Sequence, residues 1–171
     1  YEDNMFVFGG RYSGTYYNDF WKLNVKMLCA LYIPIAGNST INNNCILYSQ
    51  IVVTGKLNVT GIPDAQGNLP KIIGGGSNRL FKVESGGELV VKSLNLTGGV
   101  ASGNENGGAI KMASNTGSLK LIESAVWGNE AKRGGGSWSG NLEVIRTLFA
   151  HNIARHYGGA IYDFTGMSNT F

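Results

Sequence analysis

The sequence predicts an all-β fold, a right-handed parallel β-helix over residues 46–171 preceded by a short β-hairpin. Three observations carry that expectation. Short β-prone segments recur in phase, each is followed by a glycine pair, and the composition joins 26 Gly and only 3 Pro to many Asn and Ser. Such a mixture gives short strands separated by tight corners.

The hairpin comes first in the chain. Met5-Phe6-Val7-Phe8-Gly9-Gly10 is a β-run closed by a glycine pair, and Tyr16-Tyr17-Asn18-Asp19-Phe20-Trp21-Lys22-Leu23 opens the next strand. Residues 1–27 form this unit, with Tyr12, Tyr16 and Tyr17 assigned to it. Residues 28–45 follow as a connecting loop. Cys29 and Cys45 bracket the polar turn Gly37-Asn38-Ser39-Thr40 and form a candidate disulfide, which needs an oxidising compartment.

From residue 46 onward the chain reads as coils. Lys56–Thr60, Pro70–Gly74 and Arg79–Val83 fit the strands of the earlier ones. Three longer segments then align: Glu88–Leu96, Ser118–Val126 and Asn141–Phe149. Their apolar columns are Leu89/Leu119/Leu142, Val91/Leu121/Val144 and Leu96/Val126/Phe149. Glycine pairs follow at Gly107-Gly108-Ala109-Ile110, Gly135-Gly136-Ser137-Trp138 and Gly158-Gly159-Ala160-Ile161, which aligns Trp138 with Ile110 and Ile161. The second and third repeats lie about 23 residues apart and the first has a longer loop. Three strands and three corners need about that length, and each coil rises one strand spacing, about 4.8 Å. Like side chains then stack on like: Ser124 and Thr147 fall beneath Leu94, and Asn129 above Asn152 pairs amides at a corner. About five turns are expected.

Gly-Gly-Ala-Ile at Gly107 and Gly158, with Phe149-Ala150-His151-Asn152 as Phe-x-x-Asn, resembles the repeats of chlamydial polymorphic outer-membrane proteins and related pectin-lyase-like β-helices. Val126-Trp127-Gly128-Asn129 and Gly136-Ser137-Trp138 depart from that pattern. The resemblance implies surface display and adhesion. Residues 5–23 resemble a kelch repeat, which implies a blade of a truncated propeller, a hairpin packed on the end of the β-helix, or a strand pair docked on another chain.

Charge and motif content narrow the function. Charged residues make up 15% of the chain and the net charge is +3, without a Lys/Arg block to track a phosphate backbone, so nucleic acid is a poor partner. No apolar run reaches the length of a membrane span; the longest, Met27–Ala36, is broken by Pro34. Catalysis is disfavoured. Asp3, Asp19, Asp64 and Asp163 are scattered, Glu123 shares a column with Ser93 and Arg146, and Glu143 aligns with Val90 and Lys120, so no two carboxylates share a column. His151 and His156 beside Arg155 read as corner residues. No Cys/His cluster has zinc spacing and no glycine loop suits a phosphate, so neither metal nor cofactor is expected.

The expected role is that of a secreted, non-catalytic scaffold of an extracellular fibre, matrix or adhesin. Its partners are copies of itself, neighbouring domains of a longer chain, or surface polysaccharide. N-linked glycans are expected at the sequons of Asn38, Asn58 and Asn95; Asn58 and Asn95 each sit between apolar residues, so strand alternation turns them outward. Trp127, Trp138 and Tyr157 are candidate sugar contacts near corners, set against a packing role in the solenoid. The chain begins before a β-run and stops without a closing element, so it reads as part of a longer precursor. A polysaccharide-binding adhesin is the alternative function, and a polysaccharide lyase or glycoside hydrolase a more distant one.

Overall fold

The structure is a computed structural model, and it describes residues 4–8, 11–12, 15–16, 20–24, 33–34 and 36–164. Every regular element among them is a strand. Near the start β1 (Asn4–Phe8) pairs antiparallel with β4 (Phe20–Asn24), and β2 (Arg11–Tyr12) pairs antiparallel with β3 (Thr15–Tyr16).

The rest is a parallel β-solenoid with three five-stranded faces. The first face stacks β5 (Gly37–Ile41), β8 (Lys56–Gly61), β11 (Glu88–Lys92), β14 (Ser118–Ile122) and β18 (Leu142–Ile145). The second stacks β6 (Cys45–Leu47), β9 (Lys71–Gly74), β12 (Asn95–Thr97), β15 (Ala125–Trp127) and β19 (Leu148–Ala150). The third stacks β7 (Ile51–Val53), β10 (Phe81–Val83), β13 (Ile110–Met112), β17 (Ser137–Ser139) and β21 (Ile161–Asp163). Between the second and third faces, β16 (Glu130–Arg133) pairs with β20 (Ile153–Tyr157). The chain visits the faces in one order and places five strands on each, so from β5 to β21 it completes between four and five turns, close to the five expected.

Alternation within each strand fills the interior. Leu57, Leu89, Leu119 and Leu142 stack in one column, and Ile72, Leu96 and Val126 in another, all buried. Phe81 and Ile110 line the third face without exposed surface. Each such side chain contributes roughly 1.5–3 kcal/mol of apolar burial.

The solenoid begins earlier than residue 46. Gly37-Asn38-Ser39-Thr40 contains turn-forming residue types, yet it is a strand paired with Leu57–Thr60, with Ser39 and Ile41 buried and Asn38 and Thr40 facing out. The segment assigned to a connecting loop therefore includes part of the first coil, because the ladder offered by β8 outweighs local turn propensity.

A second difference concerns the glycine corners. The structure aligns Ile110 with Ser137 and Ile161, so the sequence alignment is one residue late in the middle coil. A register irregularity between β16 and β20 lies behind this: Glu130 faces Ile153 23 residues on, but Arg133 faces Tyr157. The extra residue of the bulge brings Gly134 into line with Gly107 and Gly158, and all three have positive φ. With three glycines in a row at 134–136, the bulged register leaves no compositional trace.

Two side-chain ladders hold the corners. The Leu94 N–H donates to Ser124 Oγ at 3.3 Å, and the Ser124 N–H donates to Thr147 Oγ1 at 3.3 Å. The Gly99 N–H donates to Asn129 Oδ1 at 2.8 Å, and the Asn129 N–H donates to Asn152 Oδ1 at 3.1 Å. Both stacks follow the sequence expectation. Corner side chains thus satisfy backbone donors where the chain leaves one sheet for the next.

Candidate functional site

Corners between the second and third faces differ in length from coil to coil. Residues 48–50, 75–80 and 98–109 stack there and leave a groove of about 660 Å³. Its floor is positioned by ladder bonds: the Leu80 and Phe81 N–H groups both donate to the Ala109 carbonyl, at 3.0 and 2.9 Å, and the Val100 N–H donates to the Asn78 carbonyl at 3.0 Å. Because Leu80 and Phe81 are anchored in the core, the preceding Arg79 is drawn into the wall and is only 7% exposed.

Arg79 Nη2 donates to Glu105 Oε2 at 2.8 Å, and Lys111 Nζ donates to the same oxygen at 2.8 Å. The hydrogen bond from Lys111, then that from Arg79, hold the Glu105 pKa down from 4.5 to about 2. Lys82 joins the lining from the neighbouring strand and pairs with Glu84 at 2.6 Å. Lys82 and Lys111 occupy one outward column, directly registered across β10 and β13. Two buried polar atoms in this wall, Arg79 Nε and Asn78 Oδ1, have no hydrogen-bond partner.

A second, smaller cleft of about 380 Å³ lies beside Asp64. Asp64 closes its own loop there by accepting bonds from the Gln66 and Asn68 N–H groups and from Asn68 Nδ2. The Asn68 side-chain bond is the leading cause of its lowered pKa. That carboxylate works as a turn brace.

The sequence-predicted positions fall elsewhere. Asn38 and Asn58 are neighbours on the outer side of the first face, where Asn58 Nδ2 donates to Asn38 Oδ1 at 2.8 Å. Asn95 lies half-buried on the second face, with Oδ1 buried and unpartnered. Cys45 is buried in the core and disulfide-bonded; Cys29 lies outside the described residues. The aromatic side chains do not form one surface. Trp127 sits 4.0 Å from the His151 ring on the second face, whereas Trp138 stacks on Tyr162 at 4.6 Å and on Phe164 at 5.3 Å on the third. Tyr157 is exposed and lies beneath the Arg133 guanidinium, which also covers Tyr162.

Sequence reasoning missed Arg79, Lys82, Glu105 and Lys111 as a group. Phe81-Lys82-Val83 and Ile110-Lys111-Met112 carry the one readable signal, a lysine between two buried residues in each of two coils. Glu105 has no such signature, since it comes from the long corner.

Each of the six glutamates among the described residues is ion-paired. Five of them pair with a cation of another coil: Glu88 with Lys56 at 3.7 Å, Glu143 with Lys120 at 2.8 Å, Glu130 with Arg155 at 2.8 Å, Glu105 with Arg79 at 2.8 Å, and Glu123 with Arg146. Glu84, paired with Lys82 of its own coil, completes the set. Among the described residues no group of three His, Cys, Asp or Glu side chains is placed to hold a metal ion, and no helix is long and apolar enough to cross a membrane. Comparison with protein-family models, curated proteins and solved structures finds no match.

Proposed function

We propose that the protein is a non-catalytic, secreted scaffold of an extracellular fibre, matrix or adhesin, glycosylated at Asn38, Asn58 or Asn95. The observation that carries this reading is the use of the carboxylates. Glu88, Glu123, Glu130 and Glu143 are each bound to a cation of an adjacent coil, so they tie coils together along the axis. A general acid needs a raised pKa, whereas the shifts at Glu105 and Glu123 are downward because cations donate hydrogen bonds to them. The charges of these four glutamates serve stacking. In this reading the Cys45 disulfide joins Cys29 and staples the entry to the first coil, and the kelch-like and pectin-lyase-like resemblances describe its two parts.

Outward Asn38 and Asn58 support secretion, since a glycan on either projects away from the core. Stacking of whole subunits through the solenoid ends gives the fibre form of the proposal, by heterologous contacts. The protein produced through a eukaryotic secretory route should lose mass on treatment with an amidase specific for N-linked glycans, and negative-stain images should show rods joined end to end. An unchanged mass rejects the glycan claim. Monodisperse single rods across the accessible concentration range reject the fibre.

A further inference from the structure

We propose that the groove beside Arg79 is a binding site for an acidic saccharide, one carrying carboxylate or sulfate groups on its rings. This goes beyond the scaffold role and does not depend on it.

The charge balance of the lining is the first ground. Arg79, Lys82 and Lys111 line the groove with one carboxylate, Glu105, and Glu84 pairs with Lys82 from beside the lining, so the three cations exceed their carboxylates by one. Glu105 is already shared by Arg79 and Lys111 and stays ionised because of them. It fixes their positions as a built-in anion would. Lys82 and Lys111 are registered one coil apart, a backbone spacing of about 4.8 Å, so a chain lying parallel to the axis passes successive lysines.

The second ground is hydrogen bonding. Ser49, Gln50, Ser77 and Ser102 add neutral donors and acceptors to the lining. Arg79, although buried, keeps Nε–H without an acceptor, and Asn78 keeps Oδ1 without a donor. Both atoms are buried in the wall, so it is the serine hydroxyls and the Gln50 amide of the lining that meet the hydroxyl groups of a sugar. Tyr48, 65% exposed at the groove edge, offers an aromatic face to a sugar ring.

Beyond Lys111 the same outward column continues to Trp138 and Tyr162, with the Arg133 guanidinium 5.9 Å from the Tyr162 ring. Basic and aromatic side chains therefore follow one another along the axis. An extended polymer, more than a small compact anion, fits a track of this kind.

Calorimetric titration of the whole chain with three hexasaccharides tests the proposal: a hexauronate, a sulfated hexasaccharide and neutral maltohexaose. One or both acidic ligands should bind at least about tenfold more tightly than the neutral one, with affinity falling as salt rises. Which of the two binds assigns carboxylate or sulfate. Lys82→Gln should weaken binding several-fold, and Lys82→Gln with Lys111→Gln by more than about tenfold, while circular dichroism and melting temperature report that the fold persists. Should the double variant lose its fold, Lys82→Gln and Tyr48→Ala carry the test, since both alter the groove rim. Equal affinity for the neutral ligand, no binding of either acidic ligand, or unchanged affinity in folded variants overturns it.

Discussion

Asn129 and Asn152 stand one above the other in successive coils, and Asn152 Oδ1 accepts two bonds from Asn129: from its backbone N–H at 3.1 Å and from Nδ2 at 2.9 Å. Asn129 in turn accepts from the Gly99 N–H and reaches the Leu96 carbonyl with Nδ2. The pair transfers to side chains the hydrogen bonding that the sheets perform elsewhere.

Replacing Asn129 by Ala leaves the Gly99 N–H and the Leu96 carbonyl short of partners inside a 1% exposed site. Unsatisfied buried groups cost about 1–3 kcal/mol each. A loss of about 3 kcal/mol is expected, read as a lower urea midpoint with unchanged slope. Asn152→Ala should cost less, because Asn152 is only partly buried.

Gly98, Gly128 and His151 occupy one corner column, with φ of +66°, +64° and +54°. The left-handed region disfavours a residue with a Cβ by about 1–2 kcal/mol. His151→Gly should therefore be about 1 kcal/mol more stable than His151→Ala, a comparison that removes the His151–Trp127 ring contact from both variants. Equal unfolding midpoints would contradict this.

Much of the solenoid is legible in the sequence because its signal repeats: Leu89, Leu119 and Leu142 announce a column, and Ser124 over Thr147 and Asn129 over Asn152 announce the ladders. Single events escape. The bulge opposite Arg133 shifts the Gly134 corner by one residue, and nothing in a run of three glycines marks it. Gly37–Ile41 reads as a turn because its strand character comes from the partner strand β8. The groove is less legible still. Ser124 lies 30 residues from its partner in one coil and 23 from its partner in the next, so corners that meet in space have no common period.

Gly108 separates crowding from backbone conformation. A Cβ there would lie 2.2 Å from the Gly135 carbonyl oxygen and 2.7 Å from the Glu130 nitrogen, both backbone atoms of the next coil. At Gly86 a Cβ meets nothing within 4 Å, and only the φ of +76° opposes it. Gly108→Ala should lower stability by roughly 3 kcal/mol, through coils forced apart, whereas Gly86→Ala should lose about 1 kcal/mol. Denaturant midpoints of the two variants, measured side by side, check the order.

Glu105 sets an acid limit on the groove. Its pKa falls from 4.5 to about 2 on folding, chiefly through the Lys111 and Arg79 hydrogen bonds. A depressed carboxylate stabilises the fold fully above the unfolded value and loses that contribution as pH falls through the folded one, so the window runs from about pH 4.5 down to 2. The side chain is 55% exposed, and solvent screening leaves about 1 kcal/mol of the shift as net stability. Between pH 5 and 2 the wild-type melting temperature should fall more steeply than that of Glu105→Gln, and the two curves should draw together toward pH 2. Parallel curves throughout that range would show that Glu105 contributes nothing to acid stability and that Arg79 is held by other contacts.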